Sequence, residues 1–411
     1  MSKIKIKNFG PIKEGYRDAD GNEWMDIKKV TLFIGNQGSG KSVVAKLIST
    51  FAWIEKALTR GDYSVKEFER KDRLKRQIEY HRLENYFHNS KNTTIEYQGG
   101  SYYFSYKNGY LQINETKNGH YPLPQIMYVP AERNFISYLK ATWGIKLTSY
   151  SLREFEEEFG NAMDNMTGQI KLPINDAYIE HNKQNKFLYL GGNDYKIRLS
   201  EASSGFQSFV PLYLVSQFLA KSVFSQSDSN HTQFMSIDQR ERFRKRVQEI
   251  EAMIDITDEQ RRIFNSEAAK LFNKTAFINI VEEPEQNLFP SSQWQMLKSL
   301  LEFNNKIPEN KLIMTTHSPY LINYLTLAVK ADGLKKRVNS EALKNKLYTI
   351  VPENSTTDPT KLVIYQCDEK DGTIKKLDKP NGLPSDENYL NNEIAESNEL
   401  FAQLLEIQQA L

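Results

Sequence analysis

Residues 35–42 read Gly-Asn-Gln-Gly-Ser-Gly-Lys-Ser, directly after the apolar run Val30-Thr31-Leu32-Phe33-Ile34 and directly before a helix-like stretch from Val43 to Phe51. The pattern G-x-x-x-x-G-K-[ST] between a strand and a helix is that of a phosphate-binding loop. Glycine freedom lets the backbone from Gly35 through Asn36, Gln37, Gly38, Ser39 and Gly40 turn its N–H groups around phosphate oxygens. The helix N-terminus, with Ser42 and Val43 in its first turn, adds partial positive charge, and Lys41 adds a full one. The Ser42 hydroxyl is a Mg²⁺ ligand in this pattern. A glycine-rich structural turn is the alternative, and the Lys-Ser pair and the flanking elements disfavour it.

Upstream, Ile4 to Phe9 alternates like a half-buried strand and stops at Gly10-Pro11, so the first forty residues are expected to be a small sheet delivering the loop. Downstream, Lys56 to Tyr86 is charged with helical spacing. Lys66, Arg70, Lys71, Arg73, Lys75 and Arg76 read either as a solvated face paired with Glu67, Glu69 and Glu79 or as a DNA-facing patch. Short alternating runs at 93–96, 102–106 and 110–114, with the hairpin signal Asn108-Gly109, predict an antiparallel meander. Gln125 to Val129 reads as a buried strand that stops at Pro130-Ala131-Glu132-Arg133. Charge at a strand end marks the crevice where α/β sheets bind ligands, although a helix cap looks the same.

Residues 136–166 look helical and 168–199 look like strands. Ser203-Ser204-Gly205-Phe206-Gln207 then opens an apolar helix, which makes a second anion site or simply a serine-capped helix. A charged helical insertion is expected at about 222–270. Phe277 to Val281 is a strand ending in Glu282-Glu283-Pro284-Glu285, and Lys311 to Thr316 is a strand ending in His317-Ser318-Pro319. The tail holds a strand pair, 361–367 and 373–377, and a last helix.

Composition excludes several classes. Cys367 is the only cysteine, which rules out disulfides within the chain and cysteine-based zinc sites and suggests a reducing compartment. No apolar run approaches the roughly 20 residues of a spanning helix, and nothing resembles a signal peptide, so a cytoplasmic protein with no membrane partner is expected. The net charge of +2 neither demands nor excludes nucleic acid.

Cleaving a phosphoanhydride needs neutralised phosphates, a placed Mg²⁺ and a water in line with the γ-phosphate. Glu282 suits the metal, Glu283 suits the water, and His317 can sense the γ-phosphate. Each alone has an innocent reading, the glutamates as a solvated strand end and the histidine as a surface or capping residue.

Taken in order, Gly35 to Ser42, Ser203 to Gln207, Glu282 to Glu285 and Thr315 to Pro319 resemble the Walker A, signature, Walker B and H-loop elements of ABC-type ATPases. The opening Ile4 to Pro11 and the run Asn287-Leu288-Phe289-Pro290 resemble the RecF, SMC and OLD branch. The resemblance implies a mixed α/β P-loop NTPase fold with an ABC-type head over 1–350, an N-terminal antiparallel β subdomain, a helical insertion, and a strand pair and helix over 351–411 packed on the head. It further implies ATP and Mg²⁺ as cofactors, with Ser42 and Glu282 on the metal. Two chains would sandwich ATP between one P-loop and Ser204, Gly205 and Gln207 of the other. Glu283 would be the catalytic carboxylate, His317 the switch histidine, and Gln286 to Phe289 the loop crossing the interface.

Three departures stand out: Glu282 where the family has Asp, Phe206 where a small residue is usual, and no Gln after Val129, with Glu132 as a substitute. Slow hydrolysis is expected from them. The function expected is an ATPase that controls a separate effector such as a nuclease, in antiphage systems of the PARIS or Septu kind, with no Toprim nuclease of its own. The alternatives are a DNA repair ATPase binding duplex DNA, and, less favoured, a transporter subunit or a silent scaffold.

Overall fold

Strand Val30–Gly35 sends Val30, Leu32 and Ile34 into one apolar layer and Phe33 into another, as the two-residue period of a strand requires. In the computed structural model the two large apolar clusters lie on these two faces. It describes residues 2–87, 92–116, 121–138, 149–228, 245, 248–250, 252 and 274–409.

The central sheet has seven strands in the order Gly15–Tyr16, Thr373–Lys376, Leu362–Cys367, Val30–Gly35, Lys311–Thr316, Ala276–Glu282 and Pro124–Val129. The last five run parallel to one another. Strands covered on both faces can be apolar throughout, and every residue of Val30–Gly35 and of Pro124–Val129 is buried. One face carries the helix Lys41–Thr59 and a five-stranded antiparallel sheet of Met25–Ile27, Ser2–Lys7, Thr94–Gln98, Tyr102–Lys107 and Tyr110–Glu115. The other carries the helices Tyr150–Asp164, Ser204–Asp228, Pro290–Asn305 and Pro319–Lys335. This is a mixed α/β fold with an antiparallel subdomain.

The expected meander is present, and Asn108-Gly109 turns it with φ of 53° and 84°, the left-handed pair that a tight hairpin needs. Strand Ser2–Lys7 joins that meander by pairing with Thr94–Gln98. The small opening sheet is therefore part of a larger one, because its apolar face packs on the P-loop helix.

Residues 56–86 differ from a continuous helix. They form short helices Val65–Phe68 and Arg73–Glu79. Two of the glutamates expected to pair with the basic residues are engaged elsewhere: Glu67 accepts from the Ser64 N–H at 2.7 Å and Glu69 from the Ile113 N–H at 2.9 Å. Residues 170–198 form a small antiparallel sheet of four strands.

The tail joins the central sheet directly. Strand Leu362–Cys367 lies inside the central sheet, parallel to and directly beside the P-loop strand. Its all but continuous burial makes it core, not an appendage. The insertion expected at 222–270 falls mostly outside the described residues, beyond the helix Ser204–Asp228. Among the described residues no helix is long and apolar enough to cross a membrane.

Candidate functional site

Parallel strands bring their C-terminal ends to one edge, and register decides which residues meet there. Cys367 pairs with Gly35, Thr316 with Ile34, Glu282 with Thr315, and Val129 with Val281. The phosphate loop, His317 and the glutamate pair therefore leave the sheet in a row. Strand Lys311–Thr316 stands between the other two.

The loop is held by close contacts that only glycine allows. A Cβ on Gly35, whose φ is 141°, would lie 2.2 Å from the Cys367 carbonyl oxygen, and one on Gly40, at φ 97°, would lie 2.8 Å from Ile12. Nothing lies within 4 Å of a Cβ built on Gly38, so the middle of the loop is open for a ligand. The buried Ser39 hydroxyl donates to the Asn36 carbonyl at 2.8 Å. The Asn36 amide reaches Glu369 at 3.2 Å, while its oxygen accepts from the Gln37 N–H at 2.7 Å.

Lys41 starts the helix with its side chain buried, and Nζ donates to the carbonyls of Gly35 at 2.9 Å and Asn36 at 2.7 Å. Burial lowers its pKa, opposed by the charges of Cys367, Glu283, Glu285 and Glu369. An ammonium has three donors, so one remains for an anion. Ser42 is half-buried in the first turn, and Val43 places its side chain in the apolar layer beneath.

Glu282 is buried; its carboxylate accepts from the Ala131 N–H at 3.3 Å and lies 3.8 Å from Lys46 Nζ. Glu283 bends the chain at φ 44°, a left-handed conformation that costs a non-glycine residue roughly 1–2 kcal/mol. That bend brings its carboxylate Oε1 to 3.2 Å from His317 Nε2. The hydrogen bond from His317, aided by the charges of His317, Lys41 and Arg133, holds the Glu283 carboxyl below the usual carboxylate range. Glu285 fixes the histidine from behind, accepting from the Thr316 hydroxyl at 2.7 Å and the His317 N–H at 2.8 Å. Burial pushes the Glu285 carboxyl up.

Ser203 and Ser204 are exposed at the start of their helix, where backbone N–H groups are free to meet an anion from outside. Gly205 presses on the chain's own loop, since a Cβ there would lie 2.9 Å from the Asn287 carbonyl oxygen. Gln207 keeps its side chain within the chain's own turn. It is buried, and its amide donates to the carbonyls of Ser200 at 3.1 Å and Ala202 at 2.9 Å, because the turn before the helix leaves those acceptors unpaired. Glu132 is exposed at the same edge.

Sequence reasoning missed several contributors. Cys367 and Glu369 border the loop from more than three hundred residues away, and nothing local marks them. Glu285 was visible within Glu-Glu-Pro-Glu but without a role. Arg133 stands in the strand-end run Pro130 to Arg133, where no local pattern marks its partners. Wholly buried, it donates to four backbone carbonyls: Ser208 at 3.1 Å, Pro130 at 3.3 Å, Glu282 at 2.8 Å and Glu283 at 2.7 Å.

The donors at this edge fit Mg²⁺. Ser42 and Glu282 offer only oxygen, one hydroxyl and one carboxylate, and Mg²⁺ takes its remaining ligands from phosphates and water. Such a site is not a cluster of protein carboxylates and histidines, and among the described residues there is none.

The AAA ATPase domain family model matches residues 260–322, the segment that carries Glu282, Glu283, Glu285 and His317. No protein of curated function matches the chain. Among solved structures, the SMC head domain from Thermotoga maritima is 10% identical with a TM-score of 0.37, over 91% of this chain and 97% of that one. An SMC head with an extended coiled coil, bound to the C-terminal domain of ScpA and derived from Pyrococcus furiosus, is 12% identical with a TM-score of 0.34, over 92% and 96%. A dimeric ATP-binding cassette in a post-hydrolysis state bound to ADP and Pi is 11% identical with a TM-score of 0.30, over 91% and 96%. Overlaps this loose assign no residue and no assembly to the present chain.

Proposed function

We propose that this chain is a P-loop ATPase that works as a pair of copies, with each ATP held between Lys41 of one copy and Ser204-Gly205 of the other. The supporting observation is the contact between Glu283 Oε1 and His317 Nε2 at 3.2 Å, on the strand edge that also carries the phosphate loop. A carboxylate held ionised beside a histidine is placed to orient a water, while the loop and Lys41 neutralise phosphate charge. Mg²⁺ bound by Ser42 and Glu282 would supply further charge neutralisation at the phosphates. The exposure of Ser204 supports completion of the site from outside.

Ser204→Arg tests the pairing. It is expected to abolish ATP-driven dimerisation and turnover while leaving ATP affinity within about threefold, since own-chain nucleotide contacts are untouched. Mixing the Ser204→Arg and Lys41→Ala chains should restore turnover, because one composite site in the mixed pair then has an intact loop and an intact serine turn. A mixture that stays inactive while both chains bind each other would sink the composite site.

Control of a separate effector, such as a nuclease in antiphage defence, is proposed on the resemblance of the ordered motifs. A gene neighbour encoding a nuclease or toxin that co-purifies with the chain supports it. The second reading, duplex DNA as partner, draws on Lys66, Arg70, Lys71, Lys75 and Arg76, all exposed on the two short helices and the turn between them. If these five meet phosphates, affinity should fall roughly 10²- to 10³-fold between 50 and 200 mM salt. Binding that ignores salt, or that survives Lys71→Glu with Lys75→Glu, counts against DNA on this face.

A further inference from the structure

Arg133 is one of the largest wholly buried side chains, and it donates to no carboxylate. Burying a charge is costly unless every donor is used, and a guanidinium spends its planar fork here on main-chain oxygens from three separate segments. One is the Ser208 carbonyl, on the fifth residue of the helix that opens at Ser204. A second is Pro130, at the end of the edge strand. The third is the Glu282-Glu283 turn, where two carbonyls are gripped at 2.8 and 2.7 Å. Glu283 is the residue in left-handed backbone, and strained backbone persists only when its surroundings over-determine it. The Arg133 bond to the Glu283 carbonyl and the Glu283 N–H bond to Thr315, 3.0 Å, do so from opposite sides.

A second tie runs between the same segments. Asn287 donates to the Ser208 hydroxyl at 3.1 Å, and its carbonyl presses on Gly205. The start of the serine helix and the glutamate turn are therefore joined as one body around Ser208.

We infer that Arg133 is a positioning residue that couples the serine turn to the pose of Glu283, so that a ligand engaged at Ser204-Gly205 sets the carboxylate that acts on water in the site. The inference rests on the proposed ATPase reading. Engagement of the turn pulls on the helix start, the Ser208 carbonyl moves with it, and the fork carries that displacement to the Glu283 backbone. Arg133 touches neither phosphate nor water itself.

Arg133→Lys and Arg133→Met test this. Lysine keeps the charge but has a point donor that cannot reach Ser208 and Glu283 together, whereas methionine fills the volume with no donor. Both are expected to lower kcat at least tenfold with KM for ATP within about threefold, because the phosphate loop is untouched. The deciding measurement adds each change to Glu283→Gln: the double variants should be no slower than Glu283→Gln alone, since Arg133 acts through that carboxylate.

Folded variants with wild-type turnover overturn the inference, as do losses that multiply on the Glu283→Gln background. If neither variant folds, Arg133 is structural and the inference also fails. A wild-type chain that binds but never hydrolyses ATP defeats the proposed function itself, which is a different result from an active wild type with indifferent Arg133 variants.

Discussion

Glu283→Gln is expected to reduce ATP turnover by roughly 10²- to 10⁴-fold, the range for removing a positioned general base, while ATP affinity stays near wild type. The amide keeps the shape of the side chain and its reach toward His317, 3.2 Å away in the parent, but loses the charge that orients water. Nucleotide should then stay bound and the paired form should accumulate, visible as an ATP-dependent shift in size-exclusion chromatography and as absent phosphate release in a single turnover. The pH profile follows from the depressed Glu283 pKa. A base must be ionised, so activity should hold through neutral pH and fall only on the acid side, below the usual carboxylate range. Glu283→Gln should lack that acid limb. Turnover within tenfold of wild type would remove Glu283 from the mechanism.

Lys41→Ala should weaken ATP binding by roughly 10- to 10²-fold, since a hydrogen bond to a charged group contributes about 1.5–3 kcal/mol and the one donor left for an anion is lost. The effect is on binding first, in contrast to Glu283→Gln. Its carbonyl partners, on Gly35 and Asn36, lose a donor, so a small drop in melting temperature is also expected. Calorimetric titration with ATP checks the affinity. Binding within threefold of wild type would show that the loop is a structural turn after all.

Much of this site is legible because its parts are local. A phosphate loop is eight consecutive residues whose spacing states their job, and a strand that ends in Glu282-Glu283 announces charge at a sheet edge. The meander and its Asn108-Gly109 turn are legible for the same reason, since side-chain alternation and left-handed turn residues act over a few positions. The pairing in region 56–86 is not legible, because charge spacing says nothing of which glutamate is taken by a distant N–H, as Glu69 is by Ile113.

The sequence by itself determined that a triphosphate loop, a glutamate pair and a strand-end histidine are present, in that order, since each is encoded in adjacent residues. Tertiary structure alone decided their arrangement. It inserted strand Lys311–Thr316 between the loop strand and the glutamate strand, set Cys367 against Gly35 from the far end of the chain, and turned Gln207 inward. It also made Arg133 the tie between the serine helix and Glu283. Apart from the Gln207 turn, such contacts join residues tens to hundreds of positions apart. They are chosen by which apolar faces pack and which buried carbonyls need a donor, and no local pattern carries that choice.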